Sequence, residues 1–256
     1  MTSGTDALDL FHFDNLSGLP GVVHAISTRA GGVSEGRCES LNVSYTVGDT
    51  TENVEENLRR VAEAIGARRE DLFAAYQVHG RAVSVVEQET EPRPRCDVLV
   101  TRSSAKTLML RYADCTPVLL ADPKRRVVAA VHAGWRGSAV RAAGAAVEAL
   151  RDQFGCQPRD IVAGIGPAIG PCCYTVGHDV VEAFADRPGL FSRTEGGQKR
   201  LDLSGANRQA LTEAGVPDEH VEVAGICTQC QSERFFSHRA NGGQAAGRFA
   251  ALIRLD

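Results

Sequence analysis

Two short apolar runs close together in residues 111–137 constrain the fold more than any other part of the chain. Residues 117–121 and 127–131 are apolar and are separated by the polar segment DPKRR, a pattern that predicts two strands joined by a turn. Cys115 precedes the first run, and His132 follows the second. Because paired strands of a hairpin run in opposite directions, we expect the thiol and the imidazole to share one end of a sheet.

The remaining patterns predict one α/β domain, of the α+β type, over residues 1–256. Apolar residues in 54–65 recur at helical spacing, with Thr50 or Thr51 as N-cap and Gly66 as the stop. A second helix is predicted after Gly137, because Val140, Val147, Leu150 and Phe154 would lie on one side of it, and Gly155 would end it. Strands come in runs, roughly ten beside four helices, and this favours mixed sheets flanked by helices over a doubly wound sheet.

Composition excludes several classes of function. A formal charge of −4 without blocks of like charge argues against binding of nucleic acid or an acidic membrane surface. The amino-terminal residues lack the pattern of a signal peptide, and the apolar runs are too short to cross a bilayer. Eight cysteines without secretory features indicate reduced thiols. We therefore expect a soluble cytoplasmic protein that acts on a small molecule.

Three residues at predicted strand ends have the side chains of a catalytic zinc site. His79 follows a predicted strand over residues 72–78, and it joins Cys115 and His132. Two histidines and one cysteine leave a fourth position open, where a metal can hold a water molecule and lower its pKa. Two alternatives stay open: three unrelated polar residues, or Cys115 as a nucleophile paired with a histidine.

Neighbouring residues add candidates for catalysis and substrate binding. Asp114 could orient a metal-bound histidine or act as general base, and Arg136 could hold phosphate, although the two could also form a local ion pair. Trp135 could stack on a flat base or anchor a loop. Phe236 and Arg239, in the segment FFSHR, could form a nucleobase and ribose platform or be core and surface residues.

The remaining cysteines include one C-x-x-C pair, Cys227 and Cys230, a spacing used by redox and metal sites. A structural zinc normally needs a second pair, and the adjacent Cys172 and Cys173 are a poor candidate because neighbouring residues rarely ligate one tetrahedral ion. We therefore favour two buried or half-exposed thiols at Cys227 and Cys230, with a second metal site as the less favoured alternative.

The motifs ADCTPVLLADP, VHAGWRG, GPAIGPCCYTVG and CTQCQSERFFSHR, in this order, resemble the laccase-domain family. This family is also called YfiH-like or peptidoglycan-editing-factor, and it once carried the label multicopper polyphenol oxidase. The resemblance implies a compact α/β domain and a zinc site formed by His79, Cys115 and His132. It also implies phosphorolysis of adenosine, inosine, guanosine and methylthioadenosine, and deamination of adenosine. Bacterial relatives are further associated with removing L-Ser from peptidoglycan precursors.

We therefore predict a zinc-dependent purine nucleoside enzyme that uses phosphate. Its predicted catalytic residues are Asp114, Cys115 and Arg136, and its predicted substrate-binding residues are Arg29, Asn42, Trp135, Phe236 and Arg239. Thr175 and the segment HRANGGQAAGR depart from the family pattern and bear on substrate preference. The alternatives are a peptidoglycan-precursor hydrolase, using zinc-activated water or Cys115, and a non-catalytic metal-dependent nucleoside-binding module.

A copper oxidase is not expected from this sequence. Multicopper sites are built from paired H-x-H motifs, and none of the seven histidines forms such a pair. Copper could still occupy an N/S site in vitro, because it outcompetes zinc for most such ligands. The sequence does not indicate an oligomeric state.

Overall fold

The computed structural model describes residues 8–87 and 93–256. Within them, apolar runs form strands and amphipathic segments form helices. The strands are β1 (Leu10–Phe11), β2 (Val22–Ser27), β3 (Leu72–Phe73), β4 (Val83–Val85), β5 (Val98–Thr101), β6 (Thr107–Tyr112), β7 (Thr116–Asp122), β8 (Val127–Ala133), β9 (Val162–Ile165), β10 (Phe191–Arg193), β11 (Lys199–Leu201), β12 (Val221–Val223) and β13 (Phe249–Leu255). The α-helices are α1 (Asp14–Ser17), α2 (Thr51–Ala64), α3 (Trp135–Ala139), α4 (Ala142–Phe154), α5 (His178–Ala183) and α6 (Leu203–Glu213).

Two large sheets, both mixed, contain most of these strands. The five-stranded sheet has the order β1-β2-β13-β6-β3, and all its pairs are antiparallel except β3 with β6. The six-stranded sheet has the order β12-β9-β7-β8-β5-β4, with parallel pairs at both edges. Strands β10 and β11 form a separate hairpin. The predicted α/β fold with mixed sheets is confirmed.

The two large sheets pack face to face, and helices cover their outer faces. Along β13, Ala251 and Ile253 face the core between the sheets, whereas Ala250 and Leu252 pack under α2. On β8 the residues alternate likewise between that core and the apolar face of α4 and α6. Strands buried on both faces must be apolar throughout, which explains the uninterrupted runs in the sequence. The result is a four-layer helix–sheet–sheet–helix arrangement.

The helix predictions are largely confirmed, with one corrected start. Helix α2 begins after Thr50, whose side chain accepts a hydrogen bond from the Asn53 N–H (3.2 Å), and Gly66 follows it at a left-handed φ of 67°. Helix α4 ends before Gly155 as predicted, but it does not start directly after Gly137. Arg141 has φ 57°, which interrupts the backbone, so residues 135–139 form the separate short helix α3.

One predicted strand is much shorter in the structure. Residues 72–78 were expected to be one strand, but β3 ends at Phe73 and an isolated bridge from Tyr76 to Arg95 is all that follows. His79 therefore lies in a loop, with φ 60°, and not directly at a strand end. Within the described ranges, no helix is long and apolar enough to cross a membrane.

Candidate metal centre and its cleft

The hairpin of β7 and β8 brings Cys115 and His132 together, as the sequence predicts. Pro117 pairs with His132 across the hairpin, and Thr116 pairs with Ala133, so Cys115 lies just before the paired end. His79 approaches the same point from the loop after β3. One side-chain donor atom from each of His79, Cys115 and His132, called the triad from this point, lies within 4.8 Å of the other two.

A buried carboxylate that the sequence analysis did not identify, Asp97, holds both histidine segments. Its Oδ1 lies 2.8 Å from His132 Nδ1 and accepts the His79 backbone N–H at 3.0 Å. Its Oδ2 accepts the Gly80 N–H at 2.7 Å and the Val78 N–H at 3.2 Å. Asp97 is fully buried, so these bonds replace its hydration. The carboxylate thereby orients His132 and shapes the loop that carries His79.

Gly134 allows the backbone to pass close to the triad. A Cβ atom at this position would lie 2.7 Å from Cys115 Sγ, closer than such atoms approach, and in tight contact with His79 Cδ2 at 3.1 Å. The glycine of the AGWRG segment is therefore required by space, since its φ of −70° is accessible to any residue.

The triad is an electrostatically coupled group. Burial by itself would raise the pKa of Cys115, but His132 and His79 lower this pKa to about 6. Burial would lower the pKa of His132, but Cys115 and Asp97 raise it to about 9. Burial opposes ionisation of Asp97, yet hydrogen bonds from His132 and Gly80 lower its pKa. The thiol is therefore favoured as thiolate, the form that binds metal or acts as a nucleophile.

The donor set suits a metal ion of the zinc type. Two imidazoles and a thiolate are common zinc ligands, and three protein ligands leave a further coordination position. His79 is exposed, Cys115 is half-buried and His132 is buried, so the group opens toward solvent on the His79 side. The chemistry of these residues therefore fits a catalytic metal site.

The triad lies in a cleft of about 610 Å³ that is rich in cations. Arg93, Arg111 and Arg248 line it, as do Tyr45 and Tyr76. Burial and the neighbouring Arg93 lower the pKa of Arg111, and burial lowers that of Arg248. These three arginines were not among the predicted site residues, because they are far apart in sequence and carry no motif.

Asp114, the residue before Cys115, forms hydrogen bonds to two distant loops. Its Oδ1 accepts the Thr228 hydroxyl at 2.7 Å, and its Oδ2 accepts the Arg239 backbone N–H at 2.7 Å. The carboxylate that contacts His132 is therefore Asp97 and not Asp114, which corrects the expected orienting role. Asp114 as a general base stays a prediction.

The remaining predicted residues lie outside the lining of this cleft. The Arg136 guanidinium stacks 4.1 Å over the Trp135 ring, and Trp135 packs against the apolar cluster around α5 and α6. Arg29 and Phe236 line a second cleft of about 440 Å³.

The side chains of Asn42 and Arg239 form hydrogen bonds within the protein. Asn42 is buried and donates to the Ser44 carbonyl and to Asp49. Arg239 donates to the Thr175 carbonyl and stacks over Tyr174. Their roles in substrate binding, like those of Trp135, Arg136, Arg29 and Phe236, stay predictions.

Comparison with known proteins places the chain in a family. Residues 23–256 match the model of the family described as multi-copper polyphenol oxidoreductase laccase. The chain is 38% identical to the purine nucleoside phosphorylase YlmD of Geobacillus stearothermophilus over 91% of this chain and 90% of that protein. It is 40% identical to a purine nucleoside phosphorylase of Deinococcus radiodurans over 91% of this chain and 89% of that protein.

A solved structure agrees with these sequence matches. The crystal structure of YlmD from Geobacillus stearothermophilus superimposes with a TM-score of 0.89 at 36% identity, covering 95% of this chain and 94% of that one. Fold, sequence motifs and length therefore agree, and the chain belongs to the multi-copper polyphenol oxidoreductase laccase family.

Proposed function

We propose that this chain is a zinc-dependent purine nucleoside phosphorylase. The observation that carries the proposal is the arginine cluster, Arg93, Arg111 and Arg248, in the same cleft as the triad. The relatives from Geobacillus stearothermophilus and Deinococcus radiodurans carry the name purine nucleoside phosphorylase, which supports this class of enzyme.

The arginine cluster suits inorganic phosphate. Arg111 donates from Nη2 to the Ala75 carbonyl, and Arg248 donates from Nη1 to the carbonyls of Ala246 and Gly247. Each guanidinium has five N–H donors, so most of them stay available for an anion. Like charges close together repel, and a bound dianion would relieve this repulsion. The charge-assisted bonds would fix phosphate beside the sugar.

In phosphorolysis a phosphate oxygen forms a bond to C1′ of the ribose while the bond from C1′ to the purine nitrogen breaks. The purine leaves with the bonding electrons and takes up a proton, and ribose 1-phosphate is the second product. Tyr45 and Tyr76 line the cleft and offer aromatic surface to the purine. When the triad holds zinc, the ion would supply Lewis-acid chemistry at this position.

Kinetics with phosphate as the varied substrate test the arginine cluster. Charge-assisted hydrogen bonds contribute about 1.5–3 kcal/mol. Arg111→Gln and Arg248→Gln should therefore each raise the KM for phosphate roughly 10- to 100-fold. Arg59→Gln, which removes an exposed guanidinium on α2, is the matched control and should leave the KM for phosphate unchanged. Equal effects in all three variants would contradict the proposal.

Arg136→Gln tests whether phosphate binds at Arg136, as the sequence predicts, or at the arginine cluster in the cleft. A raised KM for phosphate in this variant, with normal kinetics in Arg111→Gln and Arg248→Gln, would move the phosphate site to the Trp135–Arg136 segment.

Hydrolytic deamination of adenosine is a second candidate, favoured by a metal site with three protein ligands. In this reaction water adds to C6 and ammonia leaves, giving inosine without any need for phosphate. Product analysis with and without phosphate separates the two reactions. Adenine that forms only with phosphate indicates phosphorolysis. Nucleoside binding without turnover under either condition would indicate a binding module and contradict both.

Hydrolysis of an amide in a cell-wall precursor is a third candidate. It is favoured by the Cys115 thiolate beside His132, an arrangement that also occurs in cysteine hydrolases. Incubation with a MurNAc-L-Ser conjugate tests it directly. In Cys115→Ala, retained zinc with lost activity would indicate a nucleophile, whereas loss of both would indicate a ligand.

A further inference from the structure

Four cysteines from two separate loops meet in one cluster outside the triad. Strands β9 and β12 pair in parallel, with Val223 opposite Ile165, and their following loops stay in register. The Ala168 N–H donates to the Ile226 carbonyl, and the Thr228 N–H donates to the Ala168 carbonyl. Cys172 and Cys173 lie on the first loop, and Cys227 and Cys230 lie on the second.

A tight turn brings the side chains of the adjacent residues Cys172 and Cys173 to the same point. The N–H groups of Cys173 and Tyr174 both donate to the Gly170 carbonyl at 2.9 Å. This turn places Cys172 Sγ at 3.5 Å and Cys173 Sγ at 3.4 Å from Cys230 Sγ. The four thiols therefore lie together although two of them are neighbours in sequence.

The spacing of the sulfur atoms suits a tetrahedral metal ion. All four Sγ atoms lie within 4.8 Å of one another. Zinc–thiolate bonds of about 2.3 Å in a tetrahedron require sulfur atoms roughly 3.8 Å apart. The four cysteines are free, and the two measured sulfur pairs are far longer than a disulfide bond of about 2.05 Å.

The backbone at Gly170 contacts the cysteine side chains closely. The Gly170 N–H donates to Cys227 Sγ at 3.3 Å, the kind of bond that stabilises a thiolate. A Cβ on Gly170 would lie 3.2 Å from Cys172 Sγ and 3.2 Å from Cys227 Cβ, so the glycine permits this close approach. Cys172 and Cys230 are exposed, which gives an ion access from solvent.

We propose that Cys172, Cys173, Cys227 and Cys230 bind a second zinc ion in a tetrathiolate site distinct from the triad. Four thiolates favour a soft ion with tetrahedral geometry and leave no open position, so the role of this site is structural. The ion would clamp the loops after β9 and β12. Thr228, between the two cysteines of the second loop, donates to Asp114, the residue before Cys115, so the clamp would also fix that contact.

Metal stoichiometry in selectively depleted variants tests the proposal. Protein purified under reducing, oxygen-free conditions with zinc should contain two zinc equivalents per chain by elemental analysis. Cys172→Ser/Cys230→Ser should lose one equivalent and Cys115→Ala should lose the other. Cys38→Ala, which removes a buried thiol outside both groups, is the control and should keep two.

Cobalt substitution identifies the ligands independently of activity. Cys115→Ala loaded with Co²⁺ should show the intense thiolate-to-cobalt charge-transfer bands of a tetrathiolate ion. Adding Cys230→Ser alone, at an exposed position, should weaken these bands without unfolding the chain, as judged by circular dichroism.

Three results would overturn the proposal. The first is unchanged zinc content in Cys172→Ser/Cys230→Ser. The second is a disulfide among the four cysteines in freshly purified protein, detected by thiol counting after unfolding without reductant. The third is iron in place of zinc in protein purified from cells grown with both metals, because this would change the identity of the ion.

Discussion

A single carboxylate, that of Asp97, accepts hydrogen bonds from both histidine segments of the triad. No motif marks this residue. The only signal in the sequence is an acidic residue immediately before the apolar run of β5, where an unpaired charge would be costly. Its partners His79 and His132 are 18 and 35 positions away, so their contact depends on the packing of β5 beside β8.

We expect Asp97→Asn to lower metal affinity and activity roughly 10- to 100-fold, because partners that orient metal-binding histidines have effects of this size. The amide has one acceptor oxygen, so it cannot satisfy all of the donors now bound to the carboxylate. Zinc titration with a competing chelator measures the effect. Asp122→Asn is the matched control, since Asp122 is also buried and accepts backbone N–H groups, at the opposite end of the same hairpin. Comparable zinc affinity in both variants would argue against the role of Asp97.

A second prediction at this scale concerns the pH dependence of stability. Burial and the nearby His12 lower the pKa of His24 from 6.5 to about 4, and neutral His24 Nε2 accepts the Phe13 N–H at 2.8 Å. Between pH 4 and 6.5, His24 therefore binds a proton more readily in the unfolded chain than in the folded one. The free energy of unfolding falls as the pH falls from 6.5 toward 4. The loss from this residue is on the order of 3 kcal/mol.

Urea denaturation at pH 7, 6, 5 and 4 measures this loss. In His24→Gln, whose side chain does not titrate, the fall in the free energy of unfolding over this range should be smaller by about that amount. His238→Gln, at an exposed histidine, serves as control. The same pH profile in wild type and His24→Gln would contradict the prediction.

At the scale of elements, the hairpin of β7 and β8 was predictable and the loop carrying His79 was not. The hairpin follows from two apolar runs and a polar turn, and its register places Cys115 and His132 at one end. Residues 74–78 have a strand-like composition, but the bridge at Tyr76 and the hydrogen bonds that the Val78 and His79 N–H groups donate to Asp97 hold this segment in a loop. Such contacts come from distant residues, so local propensity does not reveal them.

Gly134→Ala should disturb the proposed metal centre without unfolding the protein. The added methyl group would come within 2.7 Å of Cys115 Sγ, so Cys115 or the start of α3 must shift. We expect reduced zinc content at the triad with an intact far-ultraviolet circular dichroism spectrum. Gly189→Ala, where nothing lies within 4 Å of the new Cβ, is the control. Full zinc content in Gly134→Ala would show that the site adapts to the methyl group.

At the scale of the whole molecule, the two large sheets pack against each other around a shared core of buried residues. Strand β7 contributes Leu119 to the core between the sheets, where it is fully buried. The fold class followed from strand runs and helix periodicity, and it is confirmed. The sequence could not show which strands pair across long distances, nor that Arg93, Arg111 and Arg248 would meet in one cleft.

Leu119→Ala should lower the free energy of unfolding by about 2–5 kcal/mol, because it leaves a cavity between two sheets. Val140→Ala, at a position that is 45% exposed, should change it by less than about 0.5 kcal/mol. Chemical denaturation of both variants provides the measurement. A loss below 1 kcal/mol in Leu119→Ala, as found for surface sites, would indicate that the sheets close over the deleted atoms.

The central place of β13 in the five-stranded sheet has a consequence for the order of folding. This strand pairs on one side with β2, near the amino-terminal end of the described chain, and on the other with β6. During synthesis β2 and β6 emerge long before their shared partner, so that sheet cannot close until residues 249–255 have left the ribosome. Arg248 directly precedes β13 and lines the cleft. The cleft that holds the triad is therefore completed only after residues 248–255 have been synthesised, when the six-stranded sheet can already have formed.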